Sequence, residues 1–588
     1  VTNAQPNEPP KQSWARATLA HPSLQRWLIL LALLLALPSL FFGFAIDDRL
    51  QRQLALGQSK LYELGPFELF TFVPGPADHT RKLMEHGFGA WWSNADARVV
   101  LLRPISSGLM WLDYQLLGHP ILIHAHSLLW LAATVALACA LYRRLIAVPW
   151  IAGFASLMFA IDPTHGLLAG WIAQRNALIA GTFGLAALLL HDRARREGRM
   201  GLQIAASLCL GLGLFSAEAA LGIAPYLLAH AWYLDQRRLR SLLPFVPPLL
   251  VWATVYKLGD YGAQGSGLYT DPIHHPALFL EQVVTHGPML IAAALGLPGP
   301  DFYLLMQRPE KIAVVALSYL LVGGFLLVLR PILRRDKTTC FFITGALLSV
   351  IPACATFPNT RLVFFASFGL VGALAQLFAA WRERDVSVRR AWARPIVYLV
   401  AAFHLYLAPL IFIASTTQMM MLDRVLNRTA AGVPNEPELE SQRLIVVNAP
   451  DATFLGYLAT IRKDRGEHAP EKVLAMSSGI RPLTLTRTSA TSLTLQSSVA
   501  LVQPGTDLLL RTATPFEVGY RVVFTDVAIE VTRVNAEGWP TEARFDFARP
   551  LEDASFRFMQ WQQQTLTPFT LPPIGEPIDF PAQKIKLF

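Results

Sequence analysis

The sequence predicts a polytopic α-helical membrane protein with a C-terminal, extracytoplasmic domain of α+β or mostly β character. Of its 588 residues 53% are hydrophobic and only 15% charged, whereas a soluble globule carries about a quarter charged residues. Apolar runs near the ~20 residues that span a bilayer recur from Leu24 to about residue 416. After Thr417 the chain turns polar, and short stretches alternate apolar and polar residues as half-buried strands do. The net charge of +9 calls for no nucleic-acid partner, because cationic loops facing anionic lipid headgroups are the ordinary outcome of the positive-inside rule. Cys139, Cys209, Cys340 and Cys354 lie inside apolar runs without metal-ligand spacing, so they read as small core residues.

Orientation follows from Lys and Arg. Clusters at Arg143-Arg144, Arg193 to Arg199, Arg237 to Arg240, Arg330 to Lys337 and Arg382 to Arg394 fall on one side if all are cytoplasmic. Segment 1–23, with Lys11 and Arg16, is then cytoplasmic. The run from Leu24 to Ile46 is too long for a signal peptide and is expected to stay as the first span. An initial Val where Met is usual is read as an alternative start codon, hence a bacterial inner membrane protein. The membrane domain covers 24–422, with an outer loop at 47–118 and an outer segment at 259–310. Within the loop, Ser107 to Leu117 reads as a helix lying on the membrane surface.

Further spans are expected near 121–142, 148–164, 172–191, 201–216, 218–234, 242–258, 311–331, 339–356, 362–381 and 394–416, about eleven crossings in all. The apolar run Val283 to Leu297 is expected to be re-entrant or interfacial, since a full crossing would invert every later basic cluster. The periplasmic domain, 423–588, has candidate strands at Leu444–Val447, Lys472–Ala475, Leu483–Thr486, Ser492–Leu495 and Tyr520–Phe524. A helical stretch, Leu455–Lys463, precedes the second of these, and the chain ends in a Pro-rich tail, Pro568 to Pro581.

On this topology the titratable groups gather at the outer ends of the spans. Asp47 and Asp48 close the first span, and their mutual repulsion calls for a cation, a proton or a basic partner. Arg103, His119, His124 and His126 precede or open the second span. Asp162 and His165 occupy a short turn, Arg175 starts the next span, and Glu218, Lys257, Asp260, Asp271, His274, His275, Asn359 and Arg361 lie at outer ends too. Few such groups sit mid-span, which points to one outward-facing cavity. The plainer readings are a solvated helix end for the acidic pair and an interfacial anchor for Arg103. Asp162 and His165 could serve as helix caps, and Glu218 could bond a neighbouring helix. His124 and His126, two residues apart, face different directions on a helix, so a shared metal is not expected.

Several stretches resemble the GT-C membrane glycosyltransferases, and most closely the branch of tetratricopeptide-repeat O-mannosyltransferases. They are Asp47-Asp48; Leu102-Arg103-Pro104-Ile105; Gly118-His119-Pro120 with His124-Ala125-His126; Asp162-Pro163-Thr164-His165; Trp171 with Arg175; Ser216-Ala217-Glu218; and Pro352 with Asn359-Thr360-Arg361 opening LVFFASFGL. The family's His-Pro-x-His turn reads Asp-Pro-Thr-His here, the Glu that usually follows is missing, and a strand-rich domain stands where the repeats would be.

The resemblance implies a polyprenyl-phosphate sugar donor and an acceptor protein or glycan outside the cytoplasm. One of Asp47 and Asp48 would then be the base of an inverting displacement, and the other would orient the acceptor or help hold a divalent metal, Mg or Mn. Arg175 and Arg361, then Lys257 and Arg103, would hold the departing lipid phosphate. Arg103, His124, His126, Asp162, His165, Arg175, Glu218, Lys257 and Arg361 are the expected substrate-binding set. Two rival classes remain open: a transporter or flippase of a lipid-linked or anionic solute, and an inactive scaffold.

Overall fold

A computed structural model describes residues 14–59, 61–235, 238–503 and 505–584. Lys11 and the rest of 1–13, and Arg237 of one basic cluster, lie outside the described residues. The described chain is an integral membrane protein of helices with a strand-rich C-terminal domain. Where about eleven crossings are expected, nine helices among the described residues are long and apolar enough to cross. They become ten if the pair Pro149–Ala160 and Thr164–Gly170, bent by 48°, counts as one span. Met200–Leu214 has only 15 residues, and the 218–234 run splits into a 3-10 stretch, Glu218–Ile223, and a 10-residue helix, Ala224–Tyr233. The first span ends at Phe41, five residues before the expected Ile46.

Local chemistry sets several boundaries. Gly198 at φ 66° ends the helix Arg175–Glu197, a left-handed conformation that glycine adopts without steric cost. The Asp336 carboxylate caps Lys337–Ser349 by accepting from the N–H groups of Thr338 and Thr339 at 3.2 and 2.8 Å. Ile46 takes φ 50°, turning the chain sharply into the helix Asp47–Ala55.

Within the bundle, Gly166 and Gly170 form a G-x-x-x-G stripe against Ala408–Thr416. A Cβ at Gly166 would meet the Phe412 carbonyl at 2.4 Å, and one at Gly170 would meet the Thr416 carbonyl at 2.4 Å. Close backbone approach is what small residues give a membrane interface. Gly170→Ala should therefore cost about 1–3 kcal/mol through overpacking, read as a lower melting temperature in detergent. Gly323→Ala, at a site with nothing within 4 Å, should leave the melt unchanged.

The basic clusters share one end of the bundle. There Arg16 pairs with Glu383 (3.4 Å), Arg335 with Asp385, and Arg195 with Asp235 (2.8 Å). The strand-rich domain covers the other end. Pro276–Ala294 is long enough to cross, yet both of its flanks lie at the domain end: Thr270 N–H donates to the Ala355 carbonyl (2.8 Å), and Asp301 accepts from Thr360 N–H (2.9 Å). Between them Gly296 abuts Phe403, within the last long helical stretch. The chain dips into the bundle and returns to the same end.

Helix Pro104–Leu116 has two faces, with Leu112 and Leu116 exposed and Ser106, Ser107, Met110, Asp113 and Tyr114 buried. Its start lies three residues before the expected Ser107.

The C-terminal domain holds two sheets. The four-stranded sheet runs Thr565–Pro568, Phe556–Gln562, Arg443–Val446, Lys472–Ala475, its last two neighbour pairs parallel. Helix Leu458–Asp464 lies between Arg443–Val446 and Lys472–Ala475 in the chain, the crossover that parallel strands require. The six-stranded antiparallel sheet runs Pro577–Phe580, Leu483–Arg487, Ser492–Gln496, Pro540–Phe547, Val527–Val534, Arg521–Val523. The Pro-rich tail thus supplies an edge strand, where a missing N–H is tolerated.

The domain does not stand apart from the 47–118 loop. Trp91 and Trp92 are buried, and their indole N–H groups donate to the carbonyls of Met476 and Asp507, each at 3.0 Å. Arg49 bridges Asp423 (2.9 Å) and Asp464 (3.0 Å), and Leu50, Leu54, Trp91, Leu444 and Ile461 share one apolar core. Thr71–Val73, Arg98–Val100 and Gly262–Gln264 form a small sheet that ties the outer segment to this assembly.

Candidate active site

The helix Asp47–Ala55 opens with the acidic pair, and the two carboxylates point to different partners. Asp48 is buried. Its Oδ2 accepts from Ala45 N–H (3.1 Å) and its Oδ1 from Ala173 N–H (2.8 Å), stapling the helix start to the turn before Arg175. Burial pushes its carboxyl up to about 8 against the pull of those two N–H groups, with Asp47 and Asp423 adding to the rise. Asp47 is half-buried, and its Oδ1 accepts from the Tyr457 hydroxyl of the C-terminal domain. Burial raises the Asp47 carboxyl above its ordinary value, opposed by the Tyr457 hydrogen bond and then by the charges of Arg361 and Arg103. Tyr457 stays neutral, since burial and Asp47 hold its hydroxyl well above the ordinary range.

The two arginines near Asp47 differ. Arg103 is paired with Glu218 at 2.8 Å and sits 5.0 Å over the Phe70 ring. Arg361 is half-buried, stacks 5.7 Å over Phe357, and its guanidinium makes no ion pair among the described residues. It follows Asn359, whose side chain caps the turn by accepting from Arg361 N–H at 3.0 Å. Asp47, Arg361, Arg103 and Glu218 are therefore one group at the domain end.

The other expected site residues go elsewhere. Arg175 is fully buried, bound to Asp113 and donating to the Ile123 carbonyl (3.3 Å), so its guanidinium serves an internal ion pair. His126 Nδ1 lies 2.8 Å from Asp113 Oδ1, and its Nε2 accepts from the Trp130 indole at 3.1 Å. His124 is buried beside them. Asp162 caps the bend by accepting from Thr164 N–H (2.9 Å) and Thr164 Oγ1 (2.6 Å), and it also accepts from Ser367. His165 Nε2 contacts the Phe159 carbonyl at 2.8 Å. Lys257 is exposed, and His274 pairs with Asp271 at 2.7 Å in an exposed turn.

Asp113 and Tyr457 were absent from the expected set. Asp113 carried one signal, a lone acid on an otherwise apolar interfacial helix. Tyr457 carried none, being 410 residues from its partner.

Within the acidic pair Asp47 alone keeps an oxygen free of hydrogen bonds among the described residues, so a hard divalent cation there would need waters and the donor phosphate to complete its shell. Both Asp48 oxygens are taken by backbone N–H groups, Asp47 turns to Tyr457, and the next charges are arginines. Such ions take six or more oxygen ligands, or several waters around one or two carboxylates and substrate phosphates.

Along the bundle, Leu30, Leu33, Leu34, Leu37, Ala125, Leu128 and Leu129 line an apolar groove of about 360 Å³ between the first span and Pro120–Leu145. Leu37 and Ala125 mark its domain end.

No family model matches this sequence, and no curated protein matches it. Among solved structures the chain is similar to the oligosaccharyltransferase of Archaeoglobus fulgidus, crystallised tethered through a disulfide to an acceptor peptide containing the NVT sequon. The TM-score is 0.37 at 12% identity, over 78% of this chain and 65% of that one. The chain thus spans just under two thirds of that enzyme's length.

Proposed function

We propose that the protein is a membrane glycosyltransferase of the GT-C kind, moving a sugar from a polyprenyl-phosphate donor to a hydroxyl acceptor at the end covered by the C-terminal domain. One observation carries the reading: a half-buried carboxylate with one oxygen held by Tyr457 feels the charge of an arginine that makes no ion pair among the described residues.

In this mechanism Asp47 takes the proton of the acceptor hydroxyl as its oxygen attacks the anomeric carbon. The bond from that carbon to the phosphate oxygen breaks, its electron pair stays on the phosphate, and the configuration inverts. Arg361, with Arg103 behind it, offsets the charge developing on the phosphate. The donor's hydrocarbon chain would lie in the lateral apolar groove. Asp48 fixes the backbone and moves no proton, and no step requires a divalent metal.

The test is sugar transfer from a polyprenyl-phosphate donor by purified protein. Arg361→Gln should lower turnover about 10²–10³-fold, as loss of a charge-stabilising donor does, while the melting temperature stays at the wild-type value. Unchanged turnover would remove Arg361 from the mechanism.

A transporter reading draws on a different observation: Asp162 sits at the break of a helix pair bent by 48°, with His165 buried beside it. Ionisable groups at broken helices mark transport sites. Solute flux in vesicles that Asp162→Asn abolishes, with no sugar transfer, would favour it.

A further inference from the structure

The opposite end of the bundle holds a second polar cluster with no part in the proposed transfer. His191 lies near the end of Arg175–Glu197, His230 in the last turn of Ala224–Tyr233, and Asp235 just beyond. One ligand atom from each lies within 4.8 Å of the others. The two rings are buried, their centroids 4.9 Å apart.

We propose that His191, His230 and Asp235 bind a divalent transition metal of the zinc class. One nitrogen of each ring already meets an acceptor. His191 Nδ1 is 2.9 Å from Gln203 Oε1, and His230 Nε2 is 3.1 Å from Asp192 Oδ1. Each acceptor holds the proton on that nitrogen, leaving the other nitrogen as a lone pair. Those other nitrogens, His191 Nε2 and His230 Nδ1, are buried with no hydrogen-bond partner among the described residues. A buried acceptor without a donor is costly, and here two such atoms belong to the same cluster.

An imidazole oriented by a carboxylate or carbonyl on its outer nitrogen, with the inner one free, is the arrangement of metal-bound histidine. Asp192 is itself fixed by Arg144 and by Arg196 at 3.0 Å, so the His230 ring cannot swing away. Phe245 packs edge-on to His191 at 5.2 Å, and Phe341 to His230 at 6.4 Å, walling the site with apolar surface.

Two imidazoles and one carboxylate suit Zn²⁺ with a water in the fourth position. Asp235 already meets Arg195 at 2.8 and 3.3 Å. A carboxylate has lone pairs to serve both, but the guanidinium competes with the metal. The bound ion would tie the Arg175–Glu197 helix to the Ala224–Tyr233 helix and the turn after it, independently of any transfer chemistry.

The test uses tag-free full-length protein in detergent, titrated with Zn²⁺ and, for spectroscopy, Co²⁺. Wild-type protein should retain one equivalent of Zn²⁺ after gel filtration, show the visible bands of tetrahedral Co²⁺, and melt higher with Zn²⁺ than with a chelator. His191→Gln and His230→Gln should each abolish all three. Gln203→Ala, which leaves every ligand in place, should weaken binding roughly 10- to 100-fold. Arg195→Gln should tighten it by removing the competitor. Wild-type protein that retains no Zn²⁺ and shows no Zn²⁺-dependent melting shift overturns the proposal, as does equal uptake by folded His191→Gln/His230→Gln. Should the histidine variants not fold, the opposite responses of Gln203→Ala and Arg195→Gln decide: no change in either sinks it.

Discussion

Asp47→Asn is expected to lower sugar transfer about 10²–10⁴-fold, the usual contribution of a positioned base, without loss of fold. Asparagine keeps the size of the side chain and an oxygen to accept from Tyr457, yet it cannot take the acceptor's proton. Asp48→Asn should do the reverse. Its amide would set N–H against one of the two backbone N–H groups that Asp48 accepts from, costing about 1–3 kcal/mol of stability while the base remains.

Measuring turnover and melting temperature for both variants separates the roles. Full activity in Asp47→Asn removes the proposed base. A pH series adds a signed check. The folded chain holds the Asp48 proton between the ordinary 3.8 and about 8, so the unfolded chain binds fewer protons there. The contribution is fully present below 3.8 and is lost as pH rises through about 8. Wild-type protein should therefore melt lower in mildly alkaline than in mildly acidic buffer, and Asp48→Asn should show less of this slope.

Breaking the pair between Asp113 and Arg175 should have the second large effect. Both side chains are buried, and Arg175 is fully enclosed, so Asp113→Asn leaves a guanidinium charge without its counter-ion. The expected cost is about 3–5 kcal/mol, against a much smaller loss when both are replaced by apolar residues of similar volume. His126 loses its partner at the same time. Thermal melts of Asp113→Asn, Arg175→Met and Asp113→Leu/Arg175→Met should show the double variant above either single one. If Arg175 served the donor phosphate directly, Asp113→Asn would spare the melt and change only transfer.

Elements set by local pattern were legible in advance. Lys472–Ala475, buried over its last three residues, has its expected bounds, and Leu483–Arg487 and Ser492–Gln496 each run one residue past the expected strand, because alternation specifies a strand with one buried face. The basic clusters foretold which helix ends lie together, since charge resists burial in lipid wherever the chain is. The expected span 201–216 is observed as the 15-residue helix Met200–Leu214, which starts beside Arg199 in a basic cluster and ends where the Phe215 carbonyl accepts from Ile105 N–H (3.1 Å) at the domain end.

The site was only partly legible. Arg103, Glu218, Arg361 and Asp47 come together, whereas Arg175 and His126 turn inward to Asp113 and Lys257 faces solvent. Each of these residues lies near a helix end, so the sequence placed them at the right depth. Depth says nothing about which way a side chain points around its helix. That depends on a few tens of degrees of rotation, fixed by close packing such as Gly166 and Gly170 against Ala408–Thr416.

The sequence alone determined the membrane class, the shared end of the basic clusters and the strand-rich end of the chain, since hydropathy and charge are summed locally. Tertiary structure alone decided that Tyr457 meets Asp47 and that Asp48 is a staple. It also left Arg361 without an ion-pair partner among the described residues. The Tyr457–Asp47 contact joins segments 410 residues apart, and only the packing of the loop against the C-terminal domain brings those polar atoms within hydrogen-bonding distance, while Asp48 reaches Ala173, 125 residues on, where the loop meets the bundle.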